Sequence, residues 1–244
     1  MRDFHRFFLV SAGVALVLAG CVRRPPEPLR PPSWPGRTEA PLVGGLIDRP
    51  VDAGSQAAVV REGADLGRCL AQLNAARVTF NPVPDRHATS VCGLTAGGVL
   101  GPDLGTVARM APGDVEMTCQ TALALSIWRR QSLEPAAREI LGSDVVQIDH
   151  MGAYACRNVN NGAGSSRISA HAQAAALDFA GVRLRDGRRI TVTKDWNGGT
   201  AEARFLRRIR DDACRIFGTT LSPDYNAVHY DHLHLEATDT RFCR

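Results

Sequence analysis

The chain has 244 residues, of which 44% are hydrophobic, and a formal net charge of +4. This mild basicity suits an anionic surface or polymer, but it is too small to indicate nucleic-acid binding. The length fits one substantial folded domain preceded by a short N-terminal region.

The first 21 residues have the layout of a bacterial secretory leader. Arg2 and Arg6 precede an apolar run that ends at Leu18, and small residues then lead to Cys21. The run of about a dozen residues is shorter than the roughly 20 that span a bilayer. This pattern resembles the lipobox of bacterial lipoproteins, which implies that residues 1–20 are a signal peptide and that Cys21 is lipidated. The alternative is an ordinary signal peptide with an incidental Cys21.

The resemblance also predicts where the protein resides. In lipoproteins that stay at the inner membrane, the residue after the lipidated Cys is typically Asp, whereas Val22 follows Cys21 here. We therefore expect a lipid-anchored, periplasm-facing protein at the outer membrane. Residues 21–56 are rich in Pro and Arg, which predicts a semi-rigid tether between the lipid anchor and the domain. The domain is expected to occupy residues 57–244.

Within the domain, helical and strand patterns alternate irregularly. The predicted elements are, in chain order, a helix over 67–76, a strand at 78–80, short strands at 91–94 and 99–100, a helix over 117–141 that Pro135 interrupts, a strand at 145–148, a hairpin with Asp186-Gly187 at its turn, and a helix over 199–217. This order predicts an α+β fold with a small antiparallel sheet flanked by helices.

Six cysteines remain after Cys21, an even number that favours disulfides in an oxidising compartment. No two are spaced as Cys-x-x-Cys, so a cysteine zinc site or a thioredoxin-like redox role is not expected. Six cysteines allow 15 connectivities. Pairing in chain order predicts the bridges Cys69–Cys92, Cys119–Cys156 and Cys214–Cys243.

Two stretches carry residues that bind metals. The first is His229-Tyr-Asp-His-Leu-His234, and the second runs from Ser169 through His171 to Asp178. Catalytic zinc typically takes three nitrogen or oxygen ligands from the protein and keeps a position for water. His171, Asp178 and His234 would supply that set, which predicts a Zn²⁺ site. The alternative is a pair of hydrogen-bonded core histidines with Asp178 in an ion pair.

Strand alternation separates the candidate ligands from the core. In a strand, Asp178 points to the face opposite to Leu177 and Phe179. By the same alternation, His232 and His234 share a face. Peptide cleavage also needs a base that takes a proton from water and passes it to the leaving amine. Asp231, three residues before His234, is the candidate for this role.

The two stretches together resemble a known zinc motif. Ser169-x-His171, Ala176-x-Asp178 and Asp231-x-x-His234 are similar to the motif of the D-Ala-D-Ala peptidase and Hedgehog superfamily. A wider pattern, with Tyr154-x-Cys156-Arg157, Cys214 and the His-rich C-terminal strand, more closely resembles the bacterial extensin-like C-terminal domain. The resemblance covers about residues 69–244.

The resemblance implies roles for the matching residues. It makes His171, Asp178 and His234 the zinc ligands and Asp231 the base. It makes His232 a supporting group or an oxyanion stabiliser.

Three further residues are implied less directly. His229 could share the role of base, Arg157 could hold a substrate carboxylate, and Ser169 could hydrogen-bond substrate near the metal. One position departs from the family pattern, because Ala174 stands where Gly is usual. If that position requires positive φ, Ala174 would be strained there.

The resemblance and the expected compartment predict a zinc peptidase, either an endopeptidase or a carboxypeptidase, that acts on the peptide stems of peptidoglycan. The alternative is a non-catalytic, metal-stabilised lipoprotein that binds the cell wall or supports the envelope. The departure at Ala174 motivates this second hypothesis.

Overall fold

The computed structural model describes residues 45–162 and 166–244. The helices in these ranges are α1 (Ser55–Gly63), α2 (Leu66–Ala75), α3 (Cys119–Trp128), α4 (Glu134–Ala136), α5 (Val192–Asp195) and α6 (Ala201–Ala213). The strands are β1 (Val78–Pro82), β2 (Arg86–His87), β3 (Gly93–Leu94), β4 (Gly97–Asp103), β5 (Arg109–Ala111), β6 (Val115–Thr118), β7 (Val145–His150), β8 (Ala176–Leu184), β9 (Arg189–Thr191), β10 (Thr219–Leu221), β11 (Leu233–Glu236) and β12 (Phe242–Cys243).

The largest sheet contains seven strands in the order β12-β10-β11-β8-β7-β5, with β9 paired to β8. The pairs β10·β12 and β5·β7 are parallel, and the other pairs are antiparallel. The α+β class is therefore confirmed, and small antiparallel sheets are present, but the main sheet is larger than predicted and mixed. The error arose because strands such as β5 and β12 are two or three residues long, too short for a visible alternating pattern.

Two smaller sheets complete the strand structure. Strands β1, β4 and β6 form an antiparallel sheet in the order β1-β4-β6, and β2 pairs with β3. The predicted hairpin is confirmed, since β8 and β9 flank Asp186-Gly187 and Gly187 has φ of +92°. This positive φ is accessible to glycine without steric cost.

Helix α3 is the centre of the core. Every residue from Cys119 to Trp128 except Gln120 is buried, which is the pattern of a helix enclosed on nearly all sides. The helical path continues to Leu141 through wider π turns at Arg129–Leu133 and Ala137–Leu141. Pro135 lies in the short α4 between these turns, so the chain accommodates its missing N–H without a break.

The sheet packs on this helix through aromatic contacts. Trp128 meets Phe179 of β8 edge to face, with ring centroids 5.2 Å apart. The Trp128 indole N–H donates to the carbonyl of Ile209 in α6 at 2.8 Å. Since Phe179 follows Asp178 directly, the core fixes the strand that carries a candidate metal ligand.

Three disulfides join distant parts of the chain: Cys69–Cys119, Cys92–Cys156 and Cys214–Cys243. The pairing of Cys214 with Cys243 is confirmed, whereas the predicted bridges Cys69–Cys92 and Cys119–Cys156 were wrong. Cys69 instead meets Cys119 where α2 packs against the start of α3. Chain order carries no information on which helices pack together.

The described region begins with packed structure. Leu46 and Ile47 are buried in the core, so part of the segment assigned to the tether belongs to the folded unit.

The predicted signal peptide and the lipidation site Cys21 lie outside the described residues. None of the helices in residues 45–162 and 166–244 is long and apolar enough to cross a membrane. The three disulfides suggest an extracytoplasmic protein.

Candidate metal centre

Neighbouring strands bring two of the three candidate ligands together. Strand β11 pairs antiparallel with β8, and the register places His234 opposite Asp178. Leu233 and Leu235 are fully buried on the other face of β11. The alternation of the strand therefore directs His234 towards Asp178 while its neighbours anchor the strand in the core.

The third candidate ligand lies on a short 3₁₀ turn before β8. Ser169 precedes this turn, and its Oγ accepts a hydrogen bond from the His171 backbone N–H. The turn ends at Ala174, which has φ of 52° and ψ of 29°. The position thus requires the left-handed conformation, and Ala174 adopts it although glycine is usual there in the resembled family.

Three donor atoms converge at this point. His171 Nε2 lies 3.0 Å from Asp178 Oδ1 and 3.1 Å from His234 Nδ1, and His234 Nδ1 lies 3.0 Å from Asp178 Oδ1. The three residues are buried, and one donor atom from each can serve a single ion. Tetrahedral zinc with ligands at about 2.0–2.2 Å would separate them by about 3.3–3.6 Å. Small outward shifts of these donors would accommodate zinc.

The far side of each imidazole faces an oxygen acceptor. His171 Nδ1–H donates to the carbonyl of Ala153 at 3.0 Å, and His234 Nε2–H is directed to Glu236 Oε2 at 3.4 Å. With these far nitrogens as donors, His171 Nε2 and His234 Nδ1 are the atoms that give lone pairs to an ion once it displaces their protons beside Asp178. Two imidazole lone pairs and a carboxylate facing one another form the donor set of a cation site, so the residues fit a zinc ion.

The electrostatics favour positive charge at the same place. Burial alone would raise the pKa of Asp178, but hydrogen bonds from His171 and His234 outweigh it and hold the pKa well below its usual range. Burial disfavours the charged form of His234, but the carboxylates of Asp178 and Glu236 outweigh it and raise the pKa to about 9. The lowered pKa keeps Asp178 ionised, and the raised pKa of His234 shows that the carboxylates around it favour positive charge.

His232 stands beside the three donors. Its Nε2 lies 3.5 Å from Asp178 Oδ1, and its Nδ1 lies 2.9 Å from Asp231 Oδ1. The candidate base Asp231 therefore contacts His232. The pair has the arrangement of a carboxylate that orients an imidazole, whose other nitrogen faces the site.

His229 forms the next part of the histidine cluster. Its ring centroid is 5.1 Å from that of His232, and its Nδ1–H donates to Asn226 Oδ1 at 2.6 Å. Burial is the main cause that lowers the pKa of His229 to about 4, and the neighbouring imidazoles of His232 and His234 contribute to this shift in the same direction. At neutral pH the ring is uncharged, with a lone pair on Nε2.

An open cleft of about 650 Å³ gives access to this cluster. The candidate substrate residues Arg157 and Ser169 line it together with His229, His232 and His234. Arg157 Nη2 lies 3.8 Å from Asp178 Oδ2, and its side chain is 31% exposed. Ser169 is buried, and its hydroxyl is engaged with the turn that carries His171. Arg157 is thus the more accessible of the two.

Sequence reasoning missed two residues that contact the site. Glu236 reaches His234, and Asn226 holds His229. The spacing of Glu236 could have identified it, because residues two apart on a strand share a face. Asn226 lies before a 3₁₀ turn, Ala227–His229, and its side chain caps the Val228 N–H. This turn is too short for a sequence pattern to predict.

Comparison with protein families places this site in a wider group. The model for the extensin-like protein C-terminus matches residues 67–244. Comparisons with curated proteins and with solved structures gave no significant match. The matched region covers most of the chain and includes the three candidate ligands, the histidine cluster and all three disulfides. The chain belongs to the extensin-like protein C-terminus family.

Proposed function

We propose that the chain is a zinc-dependent peptidase that cleaves the peptide stems of peptidoglycan. The observation that supports this proposal is the convergence of His171 Nε2, Asp178 Oδ1 and His234 Nδ1 within 3.0–3.1 Å beside an open cleft. The resemblance of the motif to the D-Ala-D-Ala peptidase and Hedgehog superfamily supplies the substrate class. The disulfides agree with an enzyme that works outside the cytoplasm.

The metal would supply the nucleophile and the electrophilic assistance. Zinc held by these residues would lower the pKa of a bound water to about 7 and would polarise the scissile carbonyl. Asp178 and the two imidazoles need only hold the ion and leave a position open to the cleft.

The Asp231–His232 pair is suited to proton transfer. His232 Nε2 faces the metal donors, and Asp231 accepts a hydrogen bond from His232 Nδ1–H at 2.9 Å. We assign to His232 the transfer of the proton from water to the leaving amine, with Asp231 fixing the ring and stabilising its charged form. Asp231 thus acts as base through His232. His229, held by Asn226, lies within the same cluster and supports His232.

Arg157 provides a positive charge at the cleft. Its guanidinium is close to Asp178 Oδ2 but remains partly exposed, so a substrate carboxylate can reach it. Stem peptides of peptidoglycan carry carboxylates near the bonds that peptidases cut. Ser169, which lines the same cleft, would add a hydrogen bond to the substrate near the metal.

The proposed location follows from the leader. A lipid at Cys21 would tether the domain to the outer membrane with the cleft facing the periplasm. Peptidoglycan is the polymer present there, and it is anionic, which agrees with the mild positive charge of the chain.

The test is digestion of purified sacculi by the purified protein, with the released fragments identified by mass spectrometry. We expect soluble muropeptides whose masses define the cleaved bond, and no release with Asp231→Asn or His232→Gln, both of which retain zinc. Asp239→Asn, a change at an exposed carboxylate on the turn after β11, is the matched control and should keep full activity.

The alternative is a metal-stabilised module that binds the cell wall without cutting it. The departure at Ala174 motivated this alternative, but Ala174 has the left-handed conformation that the turn requires. Retention of the protein on sacculi with no soluble product after prolonged incubation would favour the alternative over the peptidase.

A further inference from the structure

Glu236 occupies a defined place behind the metal donors. It is the last residue of β11, two positions after His234 and on the same face of the strand. Its Oε2 lies 3.4 Å from His234 Nε2, the nitrogen that faces away from Asp178. The carboxylate is therefore positioned to accept the N–H of a metal-binding imidazole.

The carboxylate of Glu236 is itself held in place. Its second oxygen, Oε1, accepts a hydrogen bond from the Thr238 hydroxyl at 3.0 Å. The Glu236 side chain is only 20% exposed, so water screens its charge weakly. The backbone carbonyl of Glu236 accepts from Gly218 N–H, which fixes this end of β11 against β10.

The two histidines differ in the charge of their outer partners. His171 donates to a neutral carbonyl, that of Ala153, whereas His234 faces a carboxylate. A carboxylate behind an imidazole fixes its tautomer and makes the facing nitrogen a stronger donor. Zinc bound with Asp178 would leave net positive charge in a buried site that Arg157 also approaches, and Glu236 would offset part of that charge.

We propose that Glu236 is a positioning residue that sets the affinity of the site for zinc through His234. This inference rests on the proposed zinc site and adds a residue to it. Glu236 makes no contact with the ion. It orients His234 and increases the electron density at Nδ1.

The experiment compares the zinc dissociation constants of the full chain and its variants by competition with a chromophoric chelator. We expect Glu236→Gln to weaken zinc binding roughly 10-fold and Glu236→Ala by up to roughly 100-fold, within the range known for such partners. Thr238→Val removes the hydrogen bond to the Glu236 carboxylate but leaves the carboxylate itself in place, so it should cause a smaller loss of zinc affinity. Glu202→Gln on α6 is the matched control and should bind as the unchanged chain does.

Thermal unfolding in excess EDTA separates this role from a structural one. We expect Glu236→Gln to lower the unfolding temperature more in excess zinc than in EDTA, because the variant binds zinc more weakly and gains less stability from it. Equal zinc affinity of the chain and both Glu236 variants would overturn this inference and leave the zinc site intact. Absence of zinc binding by the unchanged chain would overturn the zinc site and this inference together.

Discussion

The disulfide pattern yields a prediction that discriminates between two connectivities. We consider two double variants, both in a chain with Cys21→Ser. The first, Cys69→Ala/Cys119→Ala, removes one bridge of the structure and leaves the partners of the others intact. The second, Cys69→Ala/Cys92→Ala, removes one half of each of two bridges and leaves Cys119 and Cys156 without partners.

The loop lengths set the magnitude. The Cys69–Cys119 and Cys92–Cys156 bridges have sequence separations of 50 and 64 residues. The chain-entropy model assigns about 4 kcal/mol of stability to a bridge closing a loop of either size. The first variant should therefore lose about 4 kcal/mol and the second about 8 kcal/mol. Since domains are typically stable by about 5–15 kcal/mol, the second variant is expected to unfold in large part.

The assay combines a thiol titration with urea unfolding, on protein produced under oxidising conditions. In denaturant, we expect no free thiol in the first variant and two in the second, and we expect a higher unfolding midpoint for the first. If the chain-order pairing held instead, the second variant would have no free thiols and the first would have two. That reversal would refute the structural connectivity.

Three further predictions concern the fold. Arg77 follows the end of α2 with φ of 57°, so Arg77→Gly should raise the free energy of unfolding in urea by about 1 kcal/mol, while Arg77→Ala should change it little. Burial lowers the pKa of His150 despite its bond to the Pro112 carbonyl and the charge of Asp149. The folded state favours neutral His150, so this contribution to stability is complete above about pH 6.5 and is lost as the pH falls. The urea midpoint should therefore decrease less between pH 7 and pH 5 in His150→Gln than in the unchanged chain. Phe179→Ala should cost about 3–5 kcal/mol in the same assay, because the side chain is fully buried against Trp128; a cost below 1 kcal/mol would contradict the packing described.

Features that depend only on residues close in sequence could be predicted from local patterns. The Asp186-Gly187 turn was predictable because φ of +92° at Gly187 is the conformation that such dipeptides supply. The face shared by His232 and His234 followed from strand alternation alone. These features need no knowledge of what packs against them.

Features that depend on distant pairing were not predictable. His234 and Asp178 meet because β11 pairs with β8, and 56 residues separate them. Composition and spacing suggested that they belong to one site, but only the register brings their donor atoms within 3.0 Å. The bridge Cys69–Cys119 depends in the same way on the packing of α2 against α3. Glu236 was not predicted as a site residue because its contact with His234 depends on the orientation of the His234 ring.

The helix from α3 onwards shows a different limit. Pro135 predicts a break, yet the helical path runs from Cys119 to Leu141. The π turns on both sides let the helical path continue although Pro135 has no N–H to donate. The burial of nearly all of α3 supplies stabilisation that local propensity does not describe. Tertiary packing thus overrides the strongest local helix breaker.

The most direct test of the central claim is the metal content of the chain by native mass spectrometry, with His234→Ala measured beside it. We expect one zinc ion per unchanged chain and none on His234→Ala, since two remaining ligands do not hold zinc tightly. An unchanged chain that binds no zinc, or a His234→Ala variant that retains a full equivalent, would contradict the assignment of His171, Asp178 and His234 as the metal centre.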